Sequence, residues 1–241
     1  MNELTAVIQA GGRGTRLAPY STVLPKALMP VGDGAVIDHL LEQFSRAGVE
    51  TVFVTVSRFG PLIRSYCGDG SRWNLQIEYV EEDAPLGTIG PLNALRGRLG
   101  SSFFVTNSDV FTDVNLKDML EFHLSKLAPI TVAVTNQEVQ IAYGTLRYDD
   151  SGRMTSFHEK PVEQFAVSMG IYCMEPSVFD FIPEGKPFGF DELMATMLRE
   201  GAPVNAFAHT GRWVDIGRIE DLRKAQVEAA SGMPEDVHTH G

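Results

Sequence analysis

A glycine-rich segment that directly follows an apolar run is the strongest constraint in this sequence. Residues 4–8 read as a buried strand, and positions 9–17 then spell Gln-Ala-Gly-Gly-Arg-Gly-Thr-Arg-Leu. Glycines let backbone N–H groups approach a ligand closely because no Cβ intervenes, and several N–H groups that face one point attract an anion. Together with the positive charges of Arg13 and Arg16, the segment predicts a polyphosphate-binding loop.

Two better-known glycine loops do not fit these residues. The dinucleotide fingerprint Gly-x-Gly-x-x-Gly requires a glycine where this chain has Leu17. The phosphate loop of many nucleoside triphosphatases requires Gly-Lys-Ser/Thr, which does not occur here. A plain strand-to-helix turn without a ligand stays an alternative for the glycines alone. The two arginines argue against it, because a turn has no need of them.

Length and charge narrow the class of protein. The 241 residues suit one large α/β domain, which we place at residues 1–230, with a flexible tail at 231–241. The net charge of −11 disfavours nucleic acid and anionic membranes as partners. We expect neither a signal peptide nor a membrane span, and hence a cytoplasmic protein. The two cysteines, Cys67 and Cys173, are expected to be reduced and buried.

Strand and helix patterns alternate through the first half of the chain, and the second half is richer in strands. Strands are predicted at 5–10, 51–56, 75–80, 102–107, 130–135, 144–148, 154–159, 166–172 and 204–208. Helices are predicted at 36–47, 89–99, 116–126, 190–199 and 219–230. This order predicts an α/β fold, in which a mainly parallel mixed sheet is flanked by helices and followed by a β-rich part.

Charged residues follow several of the predicted strands. Asp109 comes just after the strand at 102–107, and ligands of open α/β sheets bind outside such strand ends. Asp215 lies between apolar residues, and two carboxylates with phosphate oxygens suit Mg²⁺. Lys26 follows the glycine loop closely enough to reach the same phosphates. For each acid the alternative is a helix cap or turn residue, and for the lysine an ordinary surface position.

Two further segments carry side chains that suit sugar hydroxyls, a phosphate or a base. Glu159 and Lys160 precede Pro161, which restrains the backbone there, so a carboxylate for sugar hydroxyls and an ammonium for a phosphate are held in place. The segment 81–88 offers acids and a glycine that suit a flat base. An exposed ion pair and a solvated acidic loop are the respective alternatives.

An ordered series of motifs connects these segments. Gly-Gly-x-Gly-Thr-Arg-Leu, Pro-Lys, Leu-Gly-Thr-x-Gly, Asn-x-Asp, Glu-Lys-Pro, Gly-Ile-Tyr and Trp-x-Asp-Ile-Gly occur in that order. In this the chain resembles the sugar-phosphate nucleotidylyltransferases, or NDP-sugar pyrophosphorylases, over about residues 5–230. The resemblance implies a Rossmann-like nucleotide-diphospho-sugar transferase fold. It also implies a reaction in which an NTP and a sugar 1-phosphate give an NDP-sugar and pyrophosphate.

The resemblance further implies the residues of the site. The catalytic set would be Arg16, Lys26, Asp109 and Lys160, and Asp109 and Asp215 would hold Mg²⁺. The nucleotide would contact Ala10, Gly11, Gly12, Arg13, Gly14, Thr15, Glu81, Gly87 and Thr88. The sugar phosphate would contact Tyr143, Gly144, Glu159, Lys160, Ser168, Gly170 and Trp213. The two substrates are the expected partners, and a homo-oligomer is compatible with the sequence.

Some positions depart from the family pattern. Gln9 replaces the usual leucine, Ala27 the second proline of Pro-Lys-Pro, and Ser108 the glycine of Asn-Gly-Asp. Ser168 and Met169 stand where Asn-Ala commonly precedes Gly-Ile-Tyr. Because that pair would face the sugar, an unusual sugar or a cyclitol phosphate is one expected substrate.

The base and the reaction class each leave alternatives. The segment that begins with Glu81 and Glu82 and continues to Pro-Leu-Gly-Thr looks most like that of guanylyltransferases that act on mannose 1-phosphate or heptose 1-phosphate. We therefore expect GTP as the substrate, and dTTP, UTP and CTP are the alternatives. A metal-dependent glycosyltransferase would commonly carry Asp-x-Asp, whereas Asp109 is followed by Val-Phe. A catalytically silent nucleotide-binding module is the third class, although every charged position expected for catalysis is present.

Overall fold

The computed structural model describes residues 3–12, 14–82 and 84–231. Its strands are β1 (Thr5–Gln9), β2 (Pro30–Val31), β3 (Gly34–Ala35), β4 (Thr51–Val56), β5 (Gln76–Glu81), β6 (Phe103–Asn107), β7 (Val110–Thr112), β8 (Ile130–Gln140), β9 (Thr145–Tyr148), β10 (Met154–His158), β11 (Val162–Met174), β12 (Val204–Ala208) and β13 (Trp213–Asp215). Its α-helices are α1 (Val36–Ala47), α2 (Gly60–Cys67), α3 (Leu116–Leu124), α4 (Phe190–Arg199) and α5 (Ile219–Ala230). Short 3₁₀ turns cover Thr15–Leu17, Tyr20–Thr22, Lys26–Leu28, Ser71–Trp73, Gly90–Leu95 and Pro176–Phe181.

A seven-stranded sheet organises these elements, in the order β12-β8-β11-β6-β1-β4-β5. β1 is central and pairs in parallel with β4 on one side and β6 on the other. β11 runs antiparallel to both of its neighbours, whereas the other pairs are parallel. Because β1, β4, β5 and β6 are parallel, the loops after them meet at one edge of the sheet. The predicted α/β class with a mainly parallel mixed sheet is confirmed.

Apolar residues on both faces of the sheet are covered by helices and turns. One face packs on α1, α2 and α3 through residues such as Ile8, Val54 and Phe104. The opposite face packs on α4 and on the turn Gly90–Leu95 through Val7, Phe103 and Val105. β1 therefore buries alternate residues on both sides, which explains its continuous apolar sequence. This burial holds the strand ends rigidly at the edge where the polar loops lie.

A third apolar cluster lies beside the sheet and fixes the glycine loop. Leu17, at the end of that loop, is fully buried with Phe111 of β7, Val214 of β13 and Leu222 of α5. Truncating such a buried leucine to alanine typically costs about 2–5 kcal/mol. The cluster thus ties the residues that follow β1 to the short β7–β13 pair, although these segments are far apart in the chain.

Several predicted elements agree with the structure and others need correction. α1 and the capping Gly48, with φ of +83°, are confirmed, as are α4, α5 and the β9–β10 hairpin. The predicted helix at 89–99 is wrong: only the 3₁₀ turn Gly90–Leu95 forms. The N–H groups of Ile89 and Gly90 both donate to the carbonyl of Phe188, and Gly97 adopts a φ of +79°, which ends any helix.

Other differences concern length and coverage. β8 and β11 extend beyond the predicted strands into an exposed two-stranded ribbon, and α2 was not predicted.

Cys67 and Cys173 are buried and free, as predicted, and burial raises the pKa of Cys67 to about 12. Residues 232–241 of the predicted tail lie outside the described residues. Within the described part of the chain, no helix is both long enough and apolar enough to cross a bilayer.

Candidate active site

A cavity of about 1160 Å³ opens at the edge of the sheet where β1, β4 and β6 end. Its walls come from the glycine loop, from the residues after β4, β5 and β6, and from the turn that contains Lys26. The residues that line it are Gln9, Ala10, Gly11, Gly12, Gly14, Thr15, Ala18, Ser21, Thr22, Lys26, Thr55, Ser57, Arg58, Phe59, Glu82, Ala84, Pro85, Gly87, Thr88, Pro91, Asn107, Ser108 and Asp109. Nearly all of the predicted nucleotide-binding residues are therefore brought together.

Two glycines of the loop allow close approaches that a side chain would block. A Cβ on Gly11 would lie 2.3 Å from Oε1 of Glu82, and one on Gly14 would lie 2.9 Å from Cγ of Lys26. Gly14 also has a φ of +60°, which L-residues rarely adopt. Glu82 thus stands at one end of the loop and Lys26 at the other. Arg13 lies outside the described residues.

At the Lys26 end, an acid and a base form an ion pair. Nζ of Lys26 donates to Oδ2 of Asp109, and the two side chains are only 16% and 12% exposed. Asp215 joins them because β13 pairs with β7, and the N–H of Ile216 donates to the carbonyl of Asp109 at 2.8 Å. Lys26 and Asp109 therefore line one rim of the cavity, and Asp215 lies beside this rim without lining the cavity.

Burial and charge both act on Asp215. Burial raises its pKa, and the negative charge of Asp109 raises it further, whereas Lys26 and Arg16 lower it. Arg16 itself is exposed and does not line the cavity. Nη2 of Arg16 lies 3.5 Å from the position of a Cβ on Gly217, and this places its guanidinium on the Asp215 side. A ligand that brings phosphates to this rim would meet two cations and two anions.

The segment after β5 forms the other end of the cavity and corrects one prediction. Glu81 does not line the cavity; its carboxylate accepts from Nη2 of Arg64 at 2.6 Å. Glu82 lines it instead, because successive side chains in a strand point to opposite sides. Burial raises the pKa of Glu82, and the nearby Thr55 hydroxyl offsets part of the rise.

The loop that carries Gly87 and Thr88 is held against the start of α4. Gly87 has a φ of +78°, and a Cβ there would lie 2.6 Å from the carbonyl oxygen of Phe188. The Thr88 hydroxyl accepts from the N–H of Phe190 at 3.0 Å, and the Thr88 carbonyl accepts from Nε2 of Gln9. This loop is therefore connected both to α4 and to the end of β1.

The residues predicted to bind the sugar phosphate form two groups. Tyr143, Gly144, Glu159 and Lys160 belong to the β9–β10 region and do not line the cavity. A Cβ on Gly144 would lie 3.0 Å from Oε2 of Glu159, so these two residues are neighbours. Tyr143 is 79% exposed, and Lys160 has a φ of +44°. Their role as sugar ligands stays a prediction.

The second group lies on β11 and β13, next to the cavity. A Cβ on Gly170 would lie 2.7 Å from Nδ2 of Asn107, which lines the cavity. The Ser168 hydroxyl accepts from the N–H of Gly170 at 3.3 Å. Nε1 of Trp213 donates to the carbonyl of Met169 at 2.9 Å, so the indole N–H is engaged within the protein. Any contact of Trp213 with a sugar would be made by its ring.

Some cavity residues were missed by the sequence reasoning. Arg58 adds a cation to the wall and lies over the ring of Phe59, 5.0 Å from its centroid. Ser21 and Thr22 contribute hydroxyl groups. The available signal for Arg58 was its place just after a buried parallel strand, the same signal that singled out Asp109. For Ser21 and Thr22 the sequence offers no comparable signal.

The site's capacity for a metal ion rests on its donor set. Among the described residues, no group of three or more acidic, histidine or cysteine side chains could hold a metal ion. Asp109 offers carboxylate oxygens on the cavity rim, and Asp215 offers them beside Asp109. Mg²⁺ prefers oxygen ligands and commonly takes only one or two carboxylates, completed by phosphate oxygens and water. The two acids fit that arrangement, which requires a phosphate ligand to complete it.

Comparison with known proteins identifies matches over nearly all of the chain. The family model described as nucleotidyl transferase matches residues 5–232. The chain is 31% identical to a mannose-1-phosphate guanylyltransferase of Mycobacterium tuberculosis, over 96% of this chain and 66% of that protein. It is 32% identical to a UTP–glucose-1-phosphate uridylyltransferase of Synechocystis, over 92% of this chain and 62% of that protein. The chain thus spans less than two thirds of the length of these relatives.

A solved structure shows the same fold. HddC from Yersinia pseudotuberculosis superposes with a TM-score of 0.73 over 93% of this chain and 99% of that chain, at 24% identity. At this level of identity the agreement supports the overall fold.

Proposed function

The chain belongs to the nucleotidyl transferase family, and we propose that it joins an NTP to a sugar 1-phosphate or a cyclitol 1-phosphate and releases pyrophosphate. The observation that carries the proposal is the Lys26–Asp109 ion pair on the rim of the glycine-loop cavity, with Asp215 held beside Asp109 by the pairing of β13 with β7. The relatives named above are nucleotidyltransferases of sugar 1-phosphates, and an NTP and a sugar 1-phosphate fit the family.

The chemistry requires positioning more than proton transfer. An oxygen of the sugar phosphate attacks the α-phosphorus of the NTP, and the bond from that phosphorus to the oxygen of the β-phosphate breaks, so pyrophosphate leaves on the opposite side. The attacking oxygen is already ionised near neutral pH, so no general base is required. The main obstacle is repulsion between two anions, which fixed positive groups overcome.

Each residue then has a stated part in this reaction. The backbone N–H groups of the glycine loop hold the triphosphate, and Arg16 and Lys26 neutralise its charge. Lys160 binds the phosphate of the sugar, Glu159 accepts from sugar hydroxyls, and Tyr143, Gly144, Ser168, Gly170 and Trp213 complete the sugar site. The cavity size and the two cations beside the glycine loop support the nucleotide half. The family pattern supports the sugar half.

Asp109 and Asp215 would hold Mg²⁺ together with phosphate oxygens. When bound there, the ion would neutralise charge on the reacting phosphates and on the leaving pyrophosphate. In the structure the Lys26 ammonium donates a hydrogen bond to Oδ2 of Asp109. Once the nucleotide is bound, the ammonium would turn toward the phosphates and leave this oxygen free for the metal ion.

GTP is the proposed nucleotide, and dTTP, UTP and CTP are the alternatives. Glu82 faces the base end of the cavity, and a carboxylate there suits guanine, which presents N1–H and an amino group side by side. Uracil and thymine present one N–H between two carbonyl oxygens, which the carboxylate would repel. The first relative named above is a guanylyltransferase and the second a uridylyltransferase, so their names alone do not decide the base.

The decisive experiment is a matrix of NTPs against a panel of sugar and cyclitol 1-phosphates with Mg²⁺, read out as pyrophosphate release. We expect one pair to give turnover and the Asp109→Asn variant to lose it. Formation of the NDP-sugar is confirmed by mass. No release with any pair, or consumption of an NDP-sugar donor without NTP turnover, would contradict the proposal and favour a silent binding module or a glycosyltransferase.

A further inference from the structure

Gln9 occupies the floor of the cavity and differs from the residue usual for the family pattern. It is the last residue of β1, and its register partners are Thr55 on β4 and Asn107 on β6. All three residues line the cavity. Because side chains in register on a parallel sheet project to the same face, Gln9 lies between the base end near Thr55 and the phosphate rim near Asn107.

The orientation of the Gln9 amide follows from its partner. The Thr88 carbonyl can only accept a hydrogen bond, so the NH₂ end of the amide must face it. The amide oxygen, Oε1, therefore points the other way. Oε1 is buried and has no hydrogen-bond partner among the described residues.

Because Oε1 of Gln9 lacks a hydrogen-bond partner within the described part of the chain, it can accept a hydrogen bond from a ligand in the cavity. A buried acceptor without a partner is unfavourable, and a donor supplied by a ligand relieves that cost. The terminal torsion of a glutamine is broad, so the amide can rotate to turn Oε1 toward the cavity that Gln9 lines. The floor of the cavity thus offers an acceptor close to the loop that carries Gly87 and Thr88.

A second acceptor stands nearby. The Glu82 carboxylate lies over Gly11, two residues after Gln9 in the chain, with Oε1 of Glu82 2.3 Å from the position of a Gly11 Cβ. A carboxylate can take the N1–H of guanine and one N–H of its amino group. The second N–H of that amino group then needs another acceptor. Uracil and thymine have no such group, and cytosine has an amino group but no adjacent ring N–H.

We infer that Oε1 of Gln9 accepts a hydrogen bond from the exocyclic amino group of guanine, so that Gln9 and Glu82 together select the base. The inference rests on the proposed function, because it requires an NTP in the cavity. It deepens that function by naming a residue of this chain that distinguishes guanine from bases without the amino group.

The test compares GTP with ITP, whose base differs from guanine only by the missing amino group. Affinities are measured by equilibrium titration of wild type, Gln9→Leu and Gln9→Met, with circular dichroism to establish that each variant is folded. Asn93→Leu is the matched control: Asn93 also donates to a backbone carbonyl, that of Pro183 at 2.9 Å, and also has a buried amide oxygen without a partner among the described residues. Asn93 does not line the cavity.

We expect wild type to bind GTP more tightly than ITP. Both Gln9 variants should weaken GTP about two- to tenfold, the range for one hydrogen bond, and leave ITP within about twofold. Asn93→Leu should keep the wild-type ratio. Equal affinity of wild type for GTP and ITP, or an equal loss for both nucleotides in the Gln9 variants, would overturn the inference. Failure of wild type to bind any NTP would instead contradict the proposed function.

Discussion

Asp215 lies beside Asp109 because two three-residue strands, β7 and β13, pair antiparallel and the N–H of Ile216 donates to the carbonyl of Asp109 at 2.8 Å. The Leu17 cluster on one side of this pair fixes it relative to the glycine loop. The two carboxylates are thus held together by backbone pairing, and the charge of Asp109 contributes to the raised pKa of Asp215.

Removing either carboxylate should abolish turnover without unfolding the protein. We expect Asp109→Asn and Asp215→Asn each to lose about a thousandfold or more in kcat, because a metal ligand contributes several kcal/mol of transition-state stabilisation. Steady-state kinetics across a Mg²⁺ titration, with circular dichroism as the control for folding, measures the effect. A near wild-type rate for either variant would remove that residue from the metal site.

The two proposed substrate halves should separate by mutation. Lys160→Ala should weaken binding of the sugar phosphate, and Arg16→Ala should weaken binding of the NTP, because the two cations lie on different segments of the fold. The affinities of both variants for the NTP and for the sugar phosphate are measured by separate titrations. Each variant is then the control for the other. If Lys160→Ala weakened only NTP binding, the assignment of the halves would be wrong.

A methyl group at Gly11 should move Glu82 rather than unfold the protein. The added Cβ would meet the carboxylate of Glu82, which is the end of a flexible side chain and can rotate away, so we expect a stability loss below about 1 kcal/mol. The displaced carboxylate can no longer read the base, and the preference for GTP over UTP should fall about tenfold.

Gly12→Ala is the matched control for that variant. No atom of the described residues lies within 4 Å of a Cβ on Gly12, so Glu82 stays in place. The ratio of GTP to UTP affinity should then match that of wild type, whatever happens to the absolute affinities. A Gly11→Ala variant with an unchanged ratio would show that Glu82 does not read the base.

Base selection should depend on pH through Glu82. Burial raises its pKa above the ordinary value of 4.5, so its carboxylate takes up a proton at a higher pH than an exposed one does. In the proposed role the ionised form would accept two hydrogen bonds from guanine, whereas the protonated form would not. The preference for GTP over UTP should therefore decline as the pH is lowered through the raised pKa.

The ratio of the two affinities isolates this effect, because both nucleotides carry the same triphosphate and its titration cancels. Glu82→Gln has no ionisable group at this position, and its ratio should stay level over the same pH range. A pH-dependent ratio in Glu82→Gln would assign the titration to another group.

Gly87→Ala should destabilise the protein more than Gly152→Ala. Both glycines have φ values near +80°, which costs an alanine about 1–2 kcal/mol. At Gly87 the Cβ would also meet the Phe188 backbone at 2.6 Å, whereas at Gly152 no described atom lies within 4 Å. We expect a total loss of about 2–4 kcal/mol for Gly87→Ala in urea unfolding. Equal losses would mean that the loop moves freely away from α4.

The family and most of the fold follow from local patterns in the sequence. Apolar residues at helical spacing before Gly48 located α1, and continuous apolar runs located β1, β4 and β6, because burial on both faces of a parallel sheet leaves a clear signature. The glycine loop and the ordered motifs identified the nucleotidylyltransferase resemblance, which the family match over residues 5–232 confirms. These features depend on neighbours in sequence.

The tertiary structure alone decided the rest. Whether Glu81 or Glu82 faces the cavity depends on where β5 ends and on Arg64, which donates a hydrogen bond to the Glu81 carboxylate. The segment 89–99 had helical periodicity, but hydrogen bonds to Phe188 made it a short turn. Asp109 and Asp215 meet only because β7 and β13 pair, and the Gln9 amide is oriented by Thr88. The sequence determined which residues carry charge and which segments form the central strands, while long-range pairing decided the strand bounds and which charged groups face one another, because these depend on contacts between distant segments.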